Sequence, residues 1–164
     1  MTLAVRFVGS REEAEELVQD AFLRAFRSLD RFRGEAKFST WFYRILYNLC
    51  MTKVSRAKTK PGMRANDGDD ERSLDTLVVD DDNPTIHEQL EQKEMQEMIA
   101  AEIDRLPAHY KSAIMLFYVQ EMSYEEICKV QDLPLGTVKT NLFRGRNLLR
   151  EQMISKLKGE VKIA

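Results

Sequence analysis

The sequence predicts an all-α protein of two small helical domains joined by an acidic linker, and three observations carry that expectation. Apolar residues recur at helical spacing in several stretches on either side of residues 61–84. Only 7 Gly and 4 Pro occur in 164 residues, a composition suited to a helix-rich chain, with 43% hydrophobic and 32% charged residues. The net charge of −2 hides a strong division. Residues 1–60 carry 12 Lys/Arg against 7 Asp/Glu, residues 61–104 carry 3 against 14, and residues 105–164 carry 10 against 6. Two basic ends around an acidic middle suggest two anion-binding modules and a linker, although a solvated charged face is the commoner cause of such a run.

Three segments form the expected first domain, residues 1–60. Leu3, Val5, Phe7 and Val8 read as the end of a buried helix. Ser10-Arg11-Glu12-Glu13 has the form of a capping box, in which the Ser hydroxyl accepts an early backbone N–H and Glu13 reaches back. Behind it Ala14, Leu17, Val18, Ala21, Phe22, Ala25 and Phe26 make one apolar stripe, opposite Glu12, Glu16, Asp20, Arg24 and Arg27. After the break at Gly34, Ser39 is expected to cap a helix striped by Trp41, Phe42, Ile45, Leu46, Leu49, Cys50 and Val54. Tyr43, Arg44, Tyr47, Asn48 and Met51 lie off that stripe, followed by Lys53, Arg56, Lys58 and Lys60. Aromatics interleaved with cations suit single-stranded nucleic acid, since rings stack on unpaired bases and cations track phosphates. Packing of Tyr43 and Tyr47 against the first helix is the alternative reading of the same spacing.

Residues 61–84 read as a flexible linker, rich in Asp and Gly with few apolar residues. Asn66-Asp67-Gly68-Asp69-Asp70 places its Gly too early for an EF-hand loop, so no metal site is expected there. The second domain, residues 85–164, opens on Thr85-Ile86-His87-Glu88, another capping box. Ile86, Leu90, Met98, Ile99, Ile103 and Leu106 carry a helix to Pro107, and Tyr110, Ile114, Phe117 and Tyr118 carry the next. Ser123-Tyr124-Glu125-Glu126 caps a short helix containing Ile127, Cys128 and Val130. A break at Gln131-Asp132-Leu133-Pro134 precedes a last helix with Val138, Leu142, Leu148, Leu149 and Met153.

A short capped helix, a turn of about four residues and a longer helix make the helix-turn-helix pattern. Its second helix enters the DNA major groove with its first turns toward base edges. Thr137, Lys139, Thr140, Phe143 and Arg144 lie on that face, while Val138 and Leu142 point inward. Lys and Arg donate to guanine or phosphate, and Thr serves either. Arg146 and Arg150 fall where phosphate contacts or solvated charges occur.

Other chemistries find little support. No apolar run approaches the ~20 residues of a membrane span. The brief apolar start with its single Arg6 leads straight into an acidic helix, so no signal peptide is expected and a cytoplasmic location is. Cys50 and Cys128 stand far apart without ligand partners and read as reduced, buried thiols. His87 and His109 read as helix-surface residues. The clustered carboxylates fall in the linker, which cannot hold a metal in fixed geometry, so neither an enzyme nor a cofactor is expected.

Two motif blocks then carry a family resemblance. Leu106-Pro107, Ser123-Tyr124-Glu125-Glu126-Ile127 and Leu133-Pro134-Leu135-Gly136-Thr137-Val138-Lys139-Thr140 closely resemble the fourth conserved region of extracytoplasmic-function sigma factors, in the sigma-70 family of bacterial RNA polymerase. Glu15-Glu16-Leu17-Val18-Gln19-Asp20-Ala21-Phe22-Leu23-Arg24-Ala25, Phe32-Arg33-Gly34 and Phe38-Ser39-Thr40-Trp41-Phe42-Tyr43-Arg44-Ile45 resemble their second region.

The resemblance implies a role for each block. Asp20, Arg24 and Arg27 match the surface that docks on the clamp helices of the polymerase's largest subunit, and the second domain is expected to meet the flap. Residues 33–39, with Arg33, Lys37 and Phe38, match a loop that holds a flipped non-template base of the minus-ten element. The helix holding Trp41, Tyr43, Arg44, Asn48 and Arg56 matches the melting and minus-ten segments, and the last helix matches the minus-thirty-five reader. The linker matches a segment threading toward the active-site and RNA-exit channel. An anti-sigma factor is the further expected partner. Thr52 stands where many relatives have Asp or Asn, Asp132 where they commonly have Gly, and the chain starts part-way through the family's first helix.

Overall fold

The computed structural model describes residues 2–59 and 86–160, with side chains described for 3–57 and 90–158. Seven α-helices occur among the described residues and no strand. The linker, the Thr85 capping box and His87 lie outside the described side chains.

Helix α1 (Thr2–Val8) stops at Gly9, whose φ of +76° suits a residue without Cβ. Helix α2 (Arg11–Arg27) begins on Ser10, which accepts from the Glu13 amide at 3.4 Å. The expected reciprocal half differs, because the Glu13 carboxylate turns instead to Lys53 of the third helix, 3.2 Å away. A short 3₁₀ turn, Leu29–Arg31, leads through Gly34 (φ +72°) to α3 (Phe38–Thr59). This helix starts earlier than Ser39: the Trp41 amide already donates to the Lys37 carbonyl, so Lys37 holds the capping position and Ser39 lies in the first turn. Ala14, Ala21 and Ala25 of α2 are buried, and the small side chains allow α2 to lie close to the buried Leu46, Leu49 and Cys50 of α3. The expected stripe on α2 is therefore narrower than its periodicity, because Phe22 and Phe26 remain 58% and 80% exposed.

The C-terminal helices are α4 (Ile86–Arg105), α5 (Ala108–Ile114), α6 (Tyr124–Gln131) and α7 (Leu135–Glu160). Pro107 sits at the capping position of α5, where its missing N–H costs no helical bond. Helix α5 widens into a π-helical turn over Met115–Val119. Gly145 of α7 lies so close to α5 that an added Cβ would stand 3.2 Å from the Tyr110 Cβ. Across α4 and α7, the buried Glu102 receives Lys156 and Arg105, each at 2.8 Å. Hydrogen bonding to Lys156 holds the Glu102 carboxyl below its usual range.

Both bundles share one contiguous apolar cluster, from Leu3 and Leu46 through Met115 and Leu116 to Val138 and Leu142. The two halves meet chiefly where α3 lies along α6. The halves are also joined through α1, where Arg6 pairs with Asp104 of α4 at 2.9 Å and Lys111 of α5 donates to the Arg6 carbonyl at 3.1 Å. Of the cysteines, Cys50 is buried and its thiol is pushed up to about 11 by burial, whereas Cys128 is half-buried. His109 is exposed and lies against the Tyr110 ring. No helix among the described residues is long and apolar enough to cross a membrane.

Candidate nucleic-acid interface

The helix-turn-helix follows from local chemistry. Ser123 accepts from the Glu126 amide at 3.2 Å, and Glu126 accepts from the Ser123 amide at 2.9 Å, so both halves of the capping box close. The Ser123 amide first, and then Lys37, hold the Glu126 carboxyl below its usual range. Helix α6 ends where Asp132 turns left-handed (φ 56°, ψ 46°), a conformation Asp tolerates better than most residues. Leu133 then donates to the Cys128 carbonyl, and α7 starts after Pro134. Val138 and Leu142 are buried, while Thr137, Lys139, Thr140, Phe143 and Arg144 are all exposed on one side of α7. Phe143 is 59% exposed. The Lys139 ammonium lies 5.9 Å from the centre of the Tyr124 ring. The Thr140 hydroxyl donates to the Gly136 carbonyl at 2.8 Å, which leaves its lone pairs and methyl facing outward. Arg146 meets the Tyr118 hydroxyl at 3.4 Å, so this cation braces α7 on the segment after α5.

The candidate residues of the first half fall into three groups. Phe32, Phe38 and Trp41 form an aromatic triangle with ring centres 5.2 to 5.7 Å apart, beside the exposed Arg33. Phe38 also borders an apolar hollow of about 300 Å³ shared with Phe22, Phe42 and Tyr43. Asp20, Arg24, Asn48 and Arg56 line a second, polar groove between α2 and α3, together with Thr52 and Lys53. Arg27 is exposed at the end of α2.

Lys37, Tyr43 and Arg44 form the third group, and each reaches the second half. Lys37 pairs with Glu126 at 3.1 Å, the Tyr43 hydroxyl donates to the Gln120 side-chain oxygen, and Arg44 stands 3.9 Å from Asp132. Thr40, buried at the same contact, donates to Glu126 at 3.3 Å. Tyr43 and Asn48 therefore do not share a face: five helical residues place them about 140° apart. Tyr43 and Tyr47 both pack into the core rather than standing free, and burial raises both phenols. Burial is the larger influence on the Tyr47 phenol and the Ser112 hydroxyl of α5 opposes it, so both rings have neighbours in the second half. No local pattern marks Gln120, whose contact depends wholly on the packing of α3 against the segment before α6.

Comparison with known proteins converges on one family. Residues 1–59 match the family described as Sigma-70 region 2, and residues 96–149 match Sigma-70, region 4. The chain is 34% identical over 151 residues to the ECF RNA polymerase sigma factor SigW of Bacillus subtilis, covering 92% of this chain and 81% of that protein. It is 31% identical to the ECF RNA polymerase sigma-E factor of Haemophilus influenzae, covering 92% and 79%. Among solved structures, the sigma factor RpoE in complex with the anti-sigma factor NepR from Bartonella quintana shares the fold, with a TM-score of 0.64, 20% identity and coverage of 93% and 88%. CnrH in complex with the cytosolic domain of CnrY does so with a TM-score of 0.62, 21% identity and coverage of 93% and 79%. With both sigma-70 regions present in order and this similarity along most of its length, the chain belongs to the extracytoplasmic-function RNA polymerase sigma factors.

Proposed function

We propose that this chain directs core RNA polymerase to specific promoters and assists DNA melting at the start of transcription, acting in the cytoplasm as an initiation factor rather than an enzyme. The observation that carries the reading is the pairing, in one chain, of an aromatic and basic loop and helix with a separate helix-turn-helix. Thr137, Lys139, Thr140, Phe143 and Arg144 read the minus-thirty-five duplex from the major groove. Arg33, Lys37, Phe38, Trp41, Tyr43, Arg44, Asn48 and Arg56 engage the minus-ten region. Capture of unpaired bases by stacking and edge hydrogen bonds makes strand separation favourable without ATP.

Asp20, Arg24 and Arg27 dock on the clamp helices of the largest polymerase subunit, and the second domain meets the flap. In this assignment residues 1–60 and 85–164 are the working domains, and 61–84 is the linker between them. An anti-sigma factor controls the chain, in keeping with the two solved relatives described in complexes, one of them with a named anti-sigma factor.

A gel-shift with and without core polymerase tests the assignment. A stable complex on promoter DNA is expected only when core is present. Specific, high-affinity binding of duplex promoter by the free chain, with no transcription on adding core, would identify a stand-alone helix-turn-helix regulator instead.

A further inference from the structure

A series of ring contacts runs from the end of α5 to the reader face of α7. The π-helical turn over Met115–Val119, a rare arrangement that recurs at functional sites, carries Phe117 half-buried against the core and Tyr118 exposed beside it. The Phe117 ring stacks on Tyr124, the first residue of α6, with ring centres 5.2 Å apart and planes 11° from parallel. Tyr118 meets the same Phe117 ring edge-on at 5.0 Å. The closed capping box at Ser123 fixes the backbone on which Tyr124 stands. Over the Tyr124 ring lies the Lys139 ammonium, 5.9 Å from its centre and within the ~6 Å reach of cation–π attraction. Arg144, the other cation on the reader face, meets no ring among the described residues.

We propose, on the assignment of α7 as the minus-thirty-five reader, that Tyr124 is a positioning residue for that reading. Its ring sets where the Lys139 ammonium stands, and so which base edge it addresses.

A lysine is a point charge on a flexible four-carbon stem. Left free in a major groove, it follows phosphates and any nearby acceptor, which adds affinity without sequence preference. Drawn to an anchored ring, it addresses acceptors within one short arc, the condition for choosing guanine O6 and N7 over other edges. An exposed contact of this kind is worth a factor of about two to five in an equilibrium. That sharpens one position of a promoter element without carrying the whole site, where a wrong base pair costs about fivefold or more.

The test uses holoenzyme assembled from core polymerase and the full chain, either unaltered or carrying Tyr124→Phe, Tyr124→Leu, Lys139→Ala or Arg144→Ala. A double variant combines Tyr124→Leu with Lys139→Ala. Competition binding measures the preference for a promoter over each single-base change in its minus-thirty-five element. Lys139→Ala marks the positions that Lys139 reads. At those positions Tyr124→Leu should lower the preference about two- to fivefold, and Tyr124→Phe, which keeps the ring, should preserve it. The double variant should match Lys139→Ala alone. Positions indifferent to Lys139→Ala should keep their preference in Tyr124→Leu.

An unchanged preference in Tyr124→Leu would overturn the role, as would additive losses in the double variant. Equal loss at every position in Tyr124→Leu would show a ring that merely holds α6 in place. Uniform weakening on all sequences in Tyr124→Phe would show a hydroxyl that bonds phosphate instead. An effect of Arg144→Ala with none of Lys139→Ala would leave Tyr124 nothing to position. Failure of the reader assignment itself shows differently, with Lys139→Ala and Arg144→Ala both leaving every minus-thirty-five preference unchanged.

Discussion

Lys37 caps the start of α3 with its carbonyl and reaches α6 with its ammonium, 3.1 Å from the same Glu126 carboxylate that closes the capping box of α6. One residue therefore joins the beginning of α3 to the beginning of α6. Glu126 and the buried Glu102 both have carboxyls held below the ordinary value. Such groups stabilise the fold above the unfolded pKa of about 4.3, and that contribution is lost as pH falls through the lowered folded value. Thermal melts should show the Tm falling once the pH drops below about 4.3. A chain with Glu102→Gln and Glu126→Gln starts from a lower Tm at neutral pH and loses less on acidification. An identical pH profile for both chains would show that these carboxylates are not the linked groups.

Asp132 carries the bend of the helix-turn-helix in a left-handed conformation, with Arg44 at 3.9 Å as an exposed partner. Asp132→Ala should cost about 1 kcal/mol, because Cβ strain stays while the polar side chain that tolerates this region is lost. Asp132→Gly should be at least as stable as the natural chain, since glycine adopts the turn freely and the lost ion pair is worth at most about 0.5 kcal/mol. Chemical denaturation of the two variants measures both, and equal losses would show that the ion pair, not the backbone, sets the cost.

Two glycines of α7 should respond in opposite directions. A Cβ on Gly145 would meet the Tyr110 Cβ at 3.2 Å and the Ile114 Cγ1 at 3.3 Å. Gly145→Ala should therefore destabilise the protein by about 1–3 kcal/mol through overpacking of α5 on α7. Gly136 has open space around it, so Gly136→Ala should gain about 0.5–1 kcal/mol from helix propensity. Denaturant midpoints of the two single variants check the pair. A stabilising Gly145→Ala would mean that α5 yields to the methyl.

The separation of Tyr43 from Asn48 divides the minus-ten prediction in two. Replacing Lys139 and Arg144 with Ala should weaken use of minus-thirty-five sequences and leave core binding intact. Asn48→Ala, in the groove with Asp20 and Arg24, should weaken both core binding and promoter opening. Tyr43→Ala should impair opening of duplex promoters more than of pre-melted ones. Transcription from duplex and pre-melted templates, with core affinity measured in parallel, separates the three. Equal Tyr43→Ala defects on both templates would show that this ring does not assist melting.

Most of the helical architecture was legible because periodicity and caps are local. The Ser123 box, the break at Asp132 and the inward Val138 and Leu142 all follow from residues within one or two turns. Expectations failed where a distant residue competed. Glu13 left its own cap for Lys53, forty residues on, and Lys37 rather than Ser39 took the start of α3. Phe22 and Phe26 repeat at helical spacing, yet only the alanines are fully buried against α3, and Phe22 meets Phe42 while staying exposed. The alternatives for Tyr43 and Tyr47 could not be settled by spacing, because their partners Gln120 and Ser112 come from the other half of the chain.

Mapping of transcript starts over a promoter library, with purified core polymerase and this chain, separates a promoter-selecting subunit from a free-standing DNA binder. Starts are expected to be confined to a class of promoters sharing minus-ten and minus-thirty-five elements, to depend on the chain, and to be lost from linear duplex templates when Trp41, Tyr43 and Arg44 are replaced together. Starts indifferent to the chain, or a chain that binds those duplexes tightly by itself and adds nothing to core, would contradict it.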